Sequence, residues 1–433
     1  MTRMGRLWWA GCLAVAGLLA ACGGGSSSGD GQVRLLNMTR THTTVDLKAS
    51  SGSTTTTVAS GVAQRAVSSY GGVSAGSVSL LVTDGGSSNS LVSTSPTVTK
   101  GNNYTLVAYE SSGVVKTAWL AENEAQPASG SGYLRVVSLA GDAGAVDVYV
   151  TAATVALGTG VSPNWTLAAS SSVQSTSLTS FSPATWRIRV TGAGNPADVR
   201  MDMTGVVLGS QQVVNVLLLP TSGGGLIDGA ALVQQGSLAT APNQQARVRV
   251  VSGLAGGTVA VSTAAGTSVQ SAAVSPNIGS YVNVSAGATT FNVSVNGAAL
   301  SSATATLAAG SDSTLLVTGT AAAPQSALIN DLNNLPLSGT TDSIRLVNGM
   351  AGTTSGLSMS VDFSQVANNI TPGTSSAYAT ISAGNNLRLE VNSPLSVTPV
   401  SLQTGLSIAG GGVFSVFVLG DASAPVTVIR RDR

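Results

Sequence analysis

Beyond residue 32, apolar and polar residues alternate along the chain in short runs, and no window there keeps an apolar period near 3.6. In "WRIRV", Trp186, Ile188 and Val190 fall on one face, with Arg187 and Arg189 on the other. In "VDVYV", Val146, Val148 and Val150 point one way, with Asp147 and Tyr149 the other. A period of two predicts strands with one face in a core and one in water. Clusters of Gly, Ser, Asn and Pro punctuate the runs, as turns do. The exception is the start: "LWWAGCLAVAGLLAA" (7–21) is continuously apolar and follows Arg3 and Arg6. Its length suits an export leader and is short for a bilayer span.

The strand pattern repeats. "VRLLN" begins at Val33, "LRVVS" at Leu134, "VRVVS" at Val248 and "IRLVN" at Ile344. Their arginines, Arg34, Arg135, Arg249 and Arg345, stand about 100 residues apart, the size of one immunoglobulin-like sandwich. A second strand recurs as "TVDLKAS" (44–50), "VDVYVT" (146–151), "TVAVST" (258–263) and "MSVDFS" (359–364). A late strand recurs as "NYTLVAYE", "VVNVLLLP", "STLLVTG" and "VFSVFVLG". The expected fold is therefore all-β: four tandem immunoglobulin-like β-sandwich modules at 33–126, 133–243, 247–336 and 343–433. Short junctions carrying Pro127, Pro242 and Pro336 predict limited hinge freedom, as in beads on a stiff string, with each module able to fold alone. Arg34 and Asp46 share the spacing of Arg135 and Asp147, which predicts a cross-strand ion pair repeated in modules 1 and 2.

In composition, Gly, Ser, Thr, Ala and Val dominate: the β-branched share favours strands and the 52 Gly favour turns, while charged residues are 9% against roughly 25% in an average soluble protein. With 19 basic and 18 acidic residues, no electrostatic footprint for nucleic acid is present. The two cysteines are Cys12, inside the apolar run, and Cys22 directly after it. Leu19-Ala20-Ala21-Cys22 resembles the lipobox of bacterial lipoproteins. That resemblance implies a signal peptide over 1–21, cleavage between Ala21 and Cys22, and lipid on the Cys22 thiol. The chemistry fits, because thiolate is the strong nucleophile among side chains. Residues 22–32, nearly all Gly and Ser, then read as a flexible tether. Gly23 stands where inner-membrane lipoproteins carry Asp, which implies anchoring at the outer membrane, facing either the periplasm or the exterior.

"LRVVSLAGDAGAVDVYV" (134–150), "YGGVSAGSVSLLV" (70–82) and "NYTLVAYE" (103–110) resemble the bacterial domain of unknown function 4397. The resemblance runs over nearly all of 33–433 and is weaker in module 3. It implies exported, often lipid-anchored proteins with domains in series, and it supplies no activity or catalytic residues.

The inventory for chemistry is thin. His42 is the only histidine, and no Gly-x-Ser-x-Gly elbow accompanies it, so a surface role is expected. Cys/His metal sites are excluded by count, and the acids are scattered singly apart from Glu122/Glu124 and Asp198/Asp202. Gly23–Gly25 and Gly223–Gly225 lack the Lys-Ser/Thr of a phosphate loop and read as tether and turn. Trp186 is expected in a core, Trp119 at a module junction, and Trp165, in "SPNWTL", as an exposed ring for a sugar to stack on. No catalytic residue, metal or cofactor is expected. The function these readings point to is a non-enzymatic, lipid-anchored cell-envelope protein acting as a structural or adhesive modular stalk; the alternative is a surface glycan-binding lipoprotein with Trp165 as its site. The partners expected are the membrane, through the N-terminal lipid, and envelope polysaccharide or other surface proteins.

Overall fold

A computed structural model describes residues 30–51, 53–158, 160–300, 302–336 and 338–433. Ala21 and Cys22, with the expected leader and most of the expected tether, lie outside the described residues. Among those residues the chain is strands and turns, with a single 3-10 turn at Gly141–Ala143 and no α-helix.

Each module is two sheets face to face. One sheet centres on an opening strand (Asp30–Met38, Gly132–Ser138, Gln245–Ser252 and Thr341–Ala351 in modules 1 to 4). Beside it, parallel, lies a returning strand (Asn103–Ser111, Val213–Pro220, Asp312–Thr320 and Val413–Asp421). A closing strand pairs antiparallel outside that (Val114–Ala121, Ile227–Val233, Ala323–Asp331 and Val426–Arg431). The second sheet is antiparallel; in module 1 it runs Thr54–Ala63, Thr44–Ser51, Ser79–Asp84, Ser90–Thr94. All four modules repeat this order, so the sandwich expectation holds. Each has its own core, built in module 2 from Val146, Val148, Val150, Ile188 and Val190, with Trp186 packed against it.

In the sheet of the opening strands, the face expected to be wet is not. In the opening strand of module 1, Val33 and Leu35 enter that module's core, while Leu36 and Met38 point the other way. There they meet Val137, Leu139, Leu217 and Leu219 from the same sheet of module 2. Modules 3 and 4 pack likewise through Val251, Leu316, Val347, Phe417 and Leu419. A central strand buried on both faces carries near-continuous apolar residues, which is why Val213–Pro220 is buried throughout.

The two pairs also touch. Gly223 N–H donates to Gly310 O at 2.9 Å, and Asn283 Nδ2 donates to Val199 O at 2.8 Å. A Cβ at Gly223 would lie 2.5 Å from the Asp312 nitrogen, so this turn is also a backbone-to-backbone seam that glycine alone allows. The string of beads is thus corrected to two interlocked pairs: the short junctions fold each even-numbered module back onto its predecessor, because that buries the second apolar face.

Candidate functional site

The repeated arginines are the centre of the interfaces. Parallel register sets Arg34 opposite Thr105, Arg135 opposite Asn215, Arg249 opposite Thr314 and Arg345 opposite Ser415. In every module the arginine Nε donates to that partner, at 2.8, 2.5, 2.8 and 2.9 Å. The outer end of each guanidinium then reaches an acid at or just after the end of a closing strand. Arg34 meets Glu122 at 2.7 Å, Arg135 meets Glu124 at 2.7 Å, Arg249 meets Asp432, and Arg345 meets Asp331. In the second pair the acids are exchanged: module 3's arginine takes module 4's Asp432, and module 4's arginine takes module 3's Asp331. Tyrosines cap three of the four, with Arg34 4.9 Å from the Tyr70 ring, and Arg249 and Arg345 each 4.7 Å from Tyr281 and Tyr378.

Except for the part-exposed Arg135–Glu124 pair, these charges are buried. Arg249 and Arg345 are at most 1% exposed, and Asp331 is fully buried. Burial alone would raise the Asp331 carboxyl, but Arg345 and then Arg249 outweigh it and hold the group below its ordinary value. Tyr70 is pushed up by burial and by Glu122, so it remains a hydrogen-bond donor. Each guanidinium in the arrangement is engaged by a side-chain acceptor and an acid. Its chemistry is orientation of one sheet on another.

The predicted Arg34–Asp46 and Arg135–Asp147 pairs are not formed. Asp46 instead accepts from the backbone N–H of Gly61 and Gly86, at 2.7 and 3.0 Å. Asp147 accepts from Thr166 Oγ1 at 2.6 Å and Gly194 N–H at 2.8 Å. The hairpin assumed between first and second strands does not exist; those strands lie in different sheets. Trp119 does not plug a junction. It stacks on Tyr104, ring centroids 4.6 Å apart, against module 1's own core. Trp165 is half-buried and sits against Phe181 at 5.9 Å and the core of module 2. His42 Nδ1 lies 3.1 Å from Asp84 Oδ1 near the surface, and no hydroxyl is bonded to its ring among the described residues. Asp198 and Asp202 pair separately with Arg200 and Arg187. No group of three or more His, Cys, Asp or Glu able to hold a metal occurs among the described residues.

One acidic group was missed by the sequence reading. Asp142, in the 3-10 turn of module 2, lines a cleft of about 200 Å³ with Tyr109, Lys116, Leu139, Ser171 and Pro336. Its Oδ1 accepts from Leu335 N–H at 3.2 Å and Ser112 Oγ at 3.4 Å. Burial pushes its carboxyl up, against the opposing pull of the Leu335 N–H and of Lys116.

Comparison with protein families matches residues 31–149 and 246–355 to the domain of unknown function DUF4397, more than half of the chain. The chain belongs to the DUF4397 family. Each matched stretch starts at an opening strand and runs past the next module's opening strand, so the DUF4397 pattern includes both arginines of a pair. Module 3, where the sequence resemblance is weaker, lies largely within a matched stretch, while modules 2 and 4 are matched only in their first parts. No curated protein matches the chain. Among solved structures, the Bacillus anthracis TIE protein aligns at 8% identity and a TM-score of 0.16, over 66% of this chain and 49% of that one. The chain thus spans about half the length of that structure.

Proposed function

We propose that this DUF4397 protein is a non-enzymatic, lipid-anchored envelope protein whose sandwiches form a rigid structural or adhesive body at the outer membrane. The supporting observation is where burial is placed. Outer sheet faces that freely jointed modules would leave wet are apolar, and every repeated arginine there is engaged with a hydroxyl or amide and an acid. A body of fixed shape carries load or presents a surface without internal motion. The leader, Leu19-Ala20-Ala21-Cys22 and the Gly/Ser run supply the anchor and stand-off in this reading. Two or more acyl chains hold a protein at a membrane firmly, whereas one does so marginally.

The test is radiolabelled palmitate incorporation into the wild type and Cys22→Ser, followed by adhesion assays with the gene deleted. The reading expects label in the wild type alone, retention of the wild type in the detergent phase, and weaker surface attachment of the deletion strain. Label in Cys22→Ser, or attachment unchanged by deletion, contradicts it.

A further inference from the structure

The cleft at Asp142 holds a group that a scaffold does not need. Asp142 is 4% exposed, and its second carboxylate oxygen, Oδ2, has no partner among the described residues. Buried polar atoms are nearly always satisfied, so an orphan lining a cavity points to an occupant. A second cleft of about 660 Å³ adjoins it, sharing Ser112, Leu335 and Pro336 with the first. Asn334 lines that one, and its Oδ1 is likewise buried without a partner.

The two orphans are both acceptors, so the occupant must donate hydrogen bonds. Lys116 in the first cleft and Arg345 in the second disfavour a cation, and Asp142 disfavours an anion. Leu139, Leu335 and Pro336 give the walls an apolar character suited to the C–H face of a sugar ring. A neutral, hydroxyl-rich ring meets all three demands, and two adjoining clefts take more than one.

We propose that the double cleft between modules 1, 2 and 4 and the segment leading into module 4 binds a neutral oligosaccharide, with Asp142 and Asn334 accepting hydrogen bonds from ring hydroxyls. Binding here goes beyond a scaffold role and uses a different place from Trp165. The test is calorimetry and saturation-transfer NMR on the purified full-length protein. Its probes are tetrasaccharides of glucose, mannose, galactose and N-acetylglucosamine, with the corresponding monosaccharides. At least one tetrasaccharide should bind, more tightly than its monosaccharide, and its affinity should fall about tenfold or more in both Asp142→Asn and Ser171→Trp. Trp165→Ala should bind as the wild type does, and melting of both cleft variants at or above the wild-type temperature excludes misfolding as the cause. If no tetrasaccharide binds, if binding survives both cleft variants, or if it is lost only in Trp165→Ala, the proposal is overturned.

Discussion

Replacing Arg345 with alanine removes one member of a buried exchange. Among the described residues, Asp331 would keep only Arg249 as a cationic neighbour, at 3.8 Å, while Ser415 would lose its 2.9 Å donor and the Tyr378 ring its cation. Removing one partner of a buried ion pair costs about 3–5 kcal/mol, because the remaining charge stays desolvated. For a unit the size of modules 3 and 4 together, that lowers the melting temperature by roughly 10 °C. The matched control is Arg135→Ala. Arg135 occupies the same repeat position, but its pair with Glu124 is part-exposed at 15% and 33%, so the loss is at most about 1 kcal/mol. The sign with pH follows from Asp331. Its carboxyl is held low in the native protein, so its contribution is full above the unfolded carboxylate value, about 4, and is lost as pH falls through the lower native value. The Arg345→Ala deficit should therefore be largest at neutral pH and shrink on acidification, and Arg345→Ala with Asp331→Asn should recover part of it. Calorimetry on the full chain reads all three. A deficit equal to that of Arg135→Ala, or one that grows on acidification, would refute the reasoning.

Other expectations concern single groups and single modules. Asp142 is raised by burial, so its native state favours the proton and loses stability as pH rises from the unfolded carboxylate value through the native one; Asp142→Asn should melt higher at pH 7, the gain vanishing below about pH 4. Module 2 alone, residues 133–243, exposes Val137, Leu139, Leu217 and Leu219; light scattering should find it self-associated, whereas residues 30–243 should be monomeric. Gly223→Val forces a side chain against the backbone of Asp312, and hydrogen exchange should show faster opening at 221–226 and 309–313 with the cores unchanged.

The all-β class, the four repeats and the inward residues of each strand were legible because a period of two survives in every module. The arginines and tyrosines were visible as repeating letters, the latter heading "YGGVSAG", "YVNVSAG" and "YATISAG". Their partners were not. The opening strand pairs in parallel with one far along the chain, so Arg34 finds Thr105 and Glu122, which no local spacing marks. The pairing of modules was hidden for a related reason. An outer face carrying Leu36 and Met38 reads as part of an apolar run, and nothing in the run says which residues cover which side. Asp142 was invisible as a site because its surroundings come from modules 1, 2 and 4 and the segment before module 4.

Small-angle scattering on the full chain tests the central claim most directly, since interlocked pairs and a string of modules differ most in overall size. Interlocked packing predicts a radius of gyration within a few Å of about 22 Å, the value for a compact body of this length. A radius of gyration near twice that figure, with the extended profile of four modules in line, would contradict it.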